Sequence, residues 1–101
     1  MQASDDSAIY DALANPTRRD ILAWLKRPSE HFEDQPIPLA MGISATLIVK
    51  RAGLAQSSIS AHLSVLRKAG LLSSVRLGQY GFYKRDDTTI NAFLTRIQNE
   101  I

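Results

Sequence analysis

The sequence predicts a mainly α-helical domain with one β-hairpin, in the order α-α-α-α-β-β-α. Three observations carry this. Residues 50–70, KRAGLAQSSISAHLSVLRKAG, read as a short helix, a glycine-marked turn and a longer helix. The runs Leu72–Leu77 and Tyr80–Arg85 flank Gly78-Gln79, a pair suited to a two-residue hairpin turn with glycine first. Charge is also segregated along the chain. Residues 35–85 hold seven Lys/Arg and no Asp or Glu, whereas the ends hold all ten acidic residues and five basic ones (Arg18, Arg19, Lys26, Arg27, Arg96). The middle is therefore +7 and the ends −5, which the overall +2 conceals.

At the N-terminal end, Ser4 or Asp5 is placed to cap a first helix running to about Ala14. Ile9 and Leu13 share a face there at i, i+4, with Ala12 beside them. Asn15-Pro16 ends that helix and starts the next, because proline suits a first helical position. The second helix, Pro16–Lys26, turns Ile21, Leu22 and Leu25 inward and stops before Pro28. Trp24 on it reads as core packing or an interface edge. Residues 27–43 contain Pro28, Pro36, Pro38, Gly42 and the acids Glu30, Glu33 and Asp34. They read as a long loop with room for one helical turn, and connections of that length are often functional or mobile.

Ser44 is placed to cap a third helix, Ala45–Ala52, which Gly53 ends. The fourth helix covers residues 56–69 and stops at Gly70. At 100° per residue, Ile59, Leu63 and Leu66 fall on one side of it. Ser57, Ala61, Ser64 and Lys68 fall opposite, flanked by Ser60 and Arg67, with Gln56 and Ser58 in the first turn. In the hairpin, Val75 faces Phe82 and Leu77 faces Tyr80. All four share one side, where Val75 and Phe82 are expected to pack, with Arg76 on the other. Asp87 is expected to cap a last helix with Ile90, Phe93, Leu94, Ile97 and Ile101 inward. That stripe is wider than one small core needs. It reads as a dimer interface formed by Ile90, Phe93, Leu94 and Ile97 with the companion face of Ile9 and Leu13.

Length and composition narrow the function classes. A chain of 101 residues suits one domain spanning 1–101. With no cysteine there is no disulfide framework, thiolate metal site or thiol redox sensor. The start, MQASDDS, is acidic and polar and does not read as a secretory signal. Residues 37–49, the longest apolar stretch, are interrupted by Pro38 and Gly42 and are too short to span a bilayer. These features point to a cytoplasmic protein with no membrane partner.

No catalytic constellation is visible. Ser60 and His62 are two apart on a helix and point in different directions. There is no Gly-rich phosphate loop and no nucleophile elbow, so the expectation is not an enzyme. His31 and His62 are the only histidines, which leaves a metal site without partners. No metal and no cofactor are expected. His62 reads instead as a local hydrogen-bonding or phosphate-contacting residue.

What remains is a basic, acid-free centre carrying a two-helix turn, the footprint of a double-stranded DNA binder. The expected contacts are Gln56, Ser57, Ser58, Ser60, Ala61, Ser64, Arg67 and Lys68 on the fourth helix, with Arg76, Gln79 and Lys84 on the hairpin. Glutamine pairs with adenine edges, serine hydroxyls bond bases or phosphates, and an alanine methyl touches a thymine methyl.

Three stretches also carry a family likeness. Residues 12–22, ALANPTRRDIL, are similar to an opening stretch of the form ALADPTRL-x-IL. Residues 53–72, GLAQSSISAHLSVLRKAGLL, are similar to a helix-turn-helix, and residues 77–85, LGQYGFYKR, to a wing. Together they resemble the arsenic-repressor (ArsR) family of bacterial winged-helix repressors. The resemblance implies a winged helix-turn-helix homodimer joined through its first and last helices. It implies that Gln56, Ser57, Ser60 and Ala61 face the major groove of a palindromic operator.

The chain departs from the family in several places. Ala55 stands where a serine often precedes that glutamine, and Ala61 where histidine is frequent. The family's thiolate site before the recognition motif is missing, and residues 88–101 contain no histidine for its last-helix metal site. The 27–43 connection is several residues longer than in compact members. Two other readings stay open: a winged-helix module for protein–protein contact, and a small-molecule-responsive regulator of another winged-helix family. The residues name no inducer.

Overall fold

A computed structural model describes residues 6–101. The elements run α1 (Ser7–Leu13), α2 (Pro16–Lys26), α3 (Pro28–His31), a 3₁₀ turn (Leu39–Met41), β1 (Ile43–Ser44), α4 (Ala45–Ala52), α5 (Gln56–Lys68), β2 (Leu72–Leu77), β3 (Tyr80–Arg85) and α6 (Asp87–Glu100). The strands form an antiparallel sheet in the order β1-β3-β2.

Capping chemistry sets most boundaries. Asn15 Oδ1 accepts from the Arg18 backbone N–H at 3.1 Å, with Pro16 at the first position of α2. Ser44 Oγ accepts from Leu47 N–H at 3.2 Å to open α4, and Gly53 closes it in the left-handed region at φ +67°. The expected caps Ser4 and Asp5 of α1 lie outside the described residues. Asp6 precedes α1 but does not cap it with its side chain. Its carboxylate instead receives a fork from Arg96 of α6, at 2.8 and 3.0 Å. At α6 the cap is Asp86, whose Oδ1 accepts from Thr89 N–H at 3.0 Å, rather than the expected Asp87. Asp87 sits in the first turn, where the helix dipole favours a carboxylate, and bonds Arg85 Nε at 3.0 Å.

The connection over residues 27–43 is more ordered than a long loop. Phe32 and Ile43 are buried in the core. Between them the Gln35 amide acts as a substitute strand: Nε2 donates to Gly42 O at 2.6 Å and Oε1 accepts from Ser44 N–H at 3.0 Å. Gly42 has φ +124°, and a Cβ there would come within 3.2 Å of Phe82 Cβ and Tyr83 N. Only glycine lets β1 approach β3 this closely, pairing Ile43 with Tyr83 and Ser44 with Phe82. This third strand was not expected from the sequence, because two residues carry no periodicity.

The core gathers Ile21, Leu22 and Leu25 of α2, Ile48 of α4, Ile59, Leu63 and Leu66 of α5, and Leu71 and Leu72 beyond it. Each such side chain contributes about 1.5–3 kcal/mol by leaving water. The hairpin has the expected register, Val75 opposite Phe82 and Leu77 opposite Tyr80, and Gly78 turns it at φ +64°. The expected packing of Val75 and Phe82 is met by Phe82 and corrected for Val75. Phe82 is buried, but Val75, Leu77 and Tyr80 are 49%, 45% and 56% exposed, because the hairpin runs out beyond the core. The last helix is corrected likewise. Ile90 and Phe93 are buried and Ile97 is half-buried, whereas Leu94 and Ile101 are exposed. Phe93 meets Tyr10 of α1 edge-on at 5.5 Å, and Leu94, one residue or 100° further round, is turned out of that contact. No helix among the described residues is long and apolar enough to cross a membrane.

Candidate nucleic-acid interface

The buried face of α5 dictates what its other side offers. With Ile59, Leu63 and Leu66 locked into the core, Gln56, Ser57, Ser58, Ser60 and Ala61 are exposed and Ser64 is half-exposed. Arg67 and Lys68 are exposed in the last turn. No side chain caps the start of α5, since Ala55 has nothing to offer. The first-turn N–H groups therefore point outward at the positive end of the helix dipole, an arrangement that accepts a phosphate.

The wing stands beside this helix end. Ser44, Thr46, Gln56, Gln79, Tyr80 and Gly81 line an open cleft of about 290 Å³. Gln56 and Gln79, 23 positions apart in sequence, thus meet on one surface. Ser44, Thr46 and Tyr80 join them there, and sequence reasoning missed all three. Ser44 signals only a cap, Thr46 only a first helical turn, and Tyr80 only an apolar strand position.

The seven central cations separate into two groups. Lys50 pairs with Glu33 at 2.7 Å, the Arg51 guanidinium lies over the Trp24 ring at 4.8 Å, and Arg85 bonds Asp87 and the Leu22 carbonyl. These three are engaged within the protein. Arg67, Lys68, Arg76 and Lys84 make no ion pair or hydrogen bond from their side chains among the described residues. The Arg76 head group lies over Gly81, whose missing side chain leaves it room beside Tyr83. Lys84 stands on the opposite side of the hairpin, the side of Phe82.

A partly buried brace holds α5 from behind, and the sequence reading did not single it out. Arg18 of α2 sends Nε to Ala12 O at 2.8 Å and Nη2 to Asp11 O at 3.0 Å, and its Nη1 lies 3.2 Å from His62 Nδ1 on α5. Arg19 adds a bond from Nη1 to Leu13 O at 2.6 Å. The last carbonyls of α1 are thus met by two arginines from the next helix, with the Ala14 N–H also donating to Asp11 O at 3.2 Å. Removal from water and the nearby Arg18 charge hold the His62 imidazole below its ordinary value of 6.5. The ring's partner is Arg18, not Ser60. His31 lies away from it, beside Phe32 and Glu33 at an open cleft against α4. Among the described residues no three His, Cys, Asp or Glu side chains converge.

The residues expected at a dimer interface divide as well. Ile9, Ile90 and Phe93 are taken up by the core of the protomer itself. Leu13 and Ile97 are half-buried, and Leu94 is 53% exposed, joined by Tyr10 and Ile101 as exposed apolar groups on α1 and at the end of α6.

A helix-turn-helix with an acid-free exposed face, flanked by a β-hairpin, defines a winged-helix transcriptional regulator. Residues 45–74, which run from α4 into the wing, match the family model for bacterial regulatory proteins of the arsR family. Over 95 residues the chain is 35% identical to the HTH-type transcriptional regulator YbzH of Bacillus subtilis (strain 168), covering 92% of this chain and 95% of that protein. It is 28% identical over 93 residues to the transcriptional repressor SdpR of the same organism, covering 92% and 89%. Among solved structures, HlyU from Vibrio cholerae N16961 matches with a TM-score of 0.64 at 27% identity, over 91% of this chain and 86% of that one. The chain belongs to the ArsR family of bacterial transcriptional regulators.

Proposed function

We propose that residues 1–101 act as one DNA-binding unit that dimerises through its two end helices and represses transcription from a palindromic operator. The observation that carries this reading is the exposed, acid-free face of α5, set beside the wing and edged by four cations with no internal partner. SdpR, a relative across most of its length, is a transcriptional repressor.

In this reading α5 enters the major groove. Gln56, Ser57, Ser58, Ser60, Ala61 and Ser64 meet base edges or adjacent phosphates, while Arg67 and Lys68 hold the backbone. Arg76, Gln79 and Lys84 bring the wing to the neighbouring phosphates or minor groove. Tyr10, Leu94 and Ile101 are exposed apolar groups that a second copy would cover, with Leu13 and Ile97 at the edge. Two-fold symmetry then sets two recognition helices about 34 Å apart, one turn of duplex. The unit works in the cytoplasm, without a membrane partner, a cofactor or catalytic chemistry of its own.

Selection of bound sequences from a random duplex pool tests the proposal. The expected result is an enriched palindrome with half-site centres about one helical turn apart. Affinity should fall steeply with salt. Four free cations per protomer make a dimer slope of about −7 reasonable if each neutralises one phosphate. A pool without enrichment, or binding indifferent to salt, would refute the reading and favour a protein-docking module.

A further inference from the structure

We infer that the wing tip is an apolar wedge: Leu77 and Tyr80 open a base step in the minor groove beside each half-site. This rests on the DNA-binding reading above and adds to it a mechanism of recognition.

Leu77 and Tyr80 face each other across the strands next to the Gly78-Gln79 turn, and they are 45% and 56% exposed. Val75, on the same side one pair further in, is 49% exposed. As a cross-strand pair they add only modestly to the hairpin, less than burial in the core would give. Apolar side chains on a projecting hairpin favour association with other surfaces, so a functional contact is the natural reason to keep them.

Two observations commit the surface to duplex DNA. The first is continuity. Gln79, Tyr80 and Gly81 share a cleft with Gln56, so the tip belongs to the same surface as the start of the recognition helix. The second is charge. No acidic residue occurs between positions 35 and 85, and Arg76 and Lys84 leave the two sides of the hairpin without ion-pair partners. Arg76 stands next to Leu77 on the other face of the hairpin, and Lys84 lies further back on the apolar pair's own face, opposite Ser73, so both are placed along the hairpin for the phosphates that flank a groove.

A minor groove presents few hydrogen-bonding differences between bases, so a leucine and a tyrosine gain little by reading its edges. They gain by inserting. Apolar wedges partly unstack one step and kink the duplex by about 20–90°. Unstacking is easiest at TA and CA/TG steps, so the wedge adds preference at positions that Gln56 does not touch.

The test uses the full chain and its selected operator, labelled at both ends for energy transfer and carrying a stacking-quenched fluorescent adenine analogue at each flanking step. Wild-type protein should brighten the analogue at one flanking step and shorten the end-to-end distance. The Leu77→Ser/Tyr80→Ser variant should keep the fold, because both side chains are about half in solvent and neither belongs to the core. It should keep the base preferences set by Gln56 and lose both signals. Its preference for TA over GC flanks should fall from about tenfold to near none. A wild-type complex with straight, fully stacked DNA would overturn the inference, as would a variant with unchanged signals. A variant that binds DNA as before but loses self-association by sedimentation would assign the patch to a subunit contact instead. Failure of wild type to bind any selected duplex would overturn the DNA-binding reading itself, and the wedge with it.

Discussion

Replacing Arg18 with methionine keeps most of the side-chain volume and removes a brace that joins three helices. The expected cost follows from its three contacts. The bond to Ala12 O is the strongest: it is 2.8 Å long, charge-assisted, and made to a residue with no exposed surface, so water cannot readily take the arginine's place. Hydrogen bonds of that kind are worth about 1.5–3 kcal/mol. The contact with His62 Nδ1, at 3.2 Å and partly buried, adds about 0.5–1 kcal/mol. The bond to Asp11 O is exposed, and solvent replaces it at little cost. Arg18→Met should therefore destabilise by about 2–4 kcal/mol, a large share of the roughly 5–15 kcal/mol typical of a domain this size. In a thermal melt this is a fall of about 10–25 °C.

Arg18→Lys should recover only part of the loss, because an ammonium cannot serve Ala12 O and His62 in the geometry of a planar fork. The brace also predicts a pH dependence. The folded-state pKa of His62 lies below 6.5, so near and below that pH the unfolded chain binds more protons than the native one, and stability rises with pH. This contribution is complete above about pH 7 and is lost as pH falls through 6.5 towards the folded value. His62→Gln should flatten that part of the stability curve, and Arg18→Met should shrink it by removing one of its causes. Urea unfolding at several pH values measures both effects. An Arg18→Met variant within about 0.5 kcal/mol of wild type, with an unchanged pH slope, would refute the reasoning.

Other expectations bear on function more directly. Leu94→Glu should leave protomer stability within about 0.5 kcal/mol, since the side chain is half in solvent. It should give monomers by sedimentation and cost operator affinity by roughly 10²–10⁴ through lost avidity; a wild-type monomer at micromolar concentration would defeat the dimer proposal. Phe93→Glu, the more obvious choice from the sequence, should instead unfold the protomer, because Phe93 is only 3% exposed. Gln56→Ala should cost about 1–3 kcal/mol on the selected operator and relax preference at one or two base pairs, whereas Arg76→Ala should weaken all duplexes alike and reduce the salt slope by about one unit. Equal weakening of all sequences by Gln56→Ala would show that α5 is not the reading element. Zinc, cadmium and arsenite should leave operator affinity unchanged in a chain with no cysteine and two histidines. Tight stoichiometric zinc binding by calorimetry would contradict this and direct attention to His31, Glu30, Glu33 and Asp34.

Much of this protein is determined locally and is therefore visible in its residues. Asn15-Pro16, Ser44 with Gly53, and the 3.6-residue spacing of Ile59, Leu63 and Leu66 act within one or two turns, so they set the bounds of α2, α4 and α5 before any packing occurs. Gly78 does the same for the hairpin, and the solvent-facing side of α5 follows once its apolar side is known.

What tertiary structure alone decides is the choice between partners that look equivalent in a linear chain. Asp86 rather than Asp87 caps α6, and Asp6 turns from its own helix to Arg96, 90 positions away. Lys50, Arg51 and Arg85 count towards the basic centre, yet each is held internally, by Glu33, Trp24 and Asp87 with Leu22 respectively. The two-residue strand β1 forms because Gln35, Gly42 and β3 meet in space, and no periodicity announces such an encounter. The stripe on α6 shows the same limit. Spacing places Ile90, Phe93, Leu94 and Ile97 together, but the position of α1 decides that Phe93 is core and Leu94 is surface. Short-range sterics and hydrogen bonding write the elements into the sequence, whereas the pairing of charges and the exposure of apolar faces depend on which elements meet.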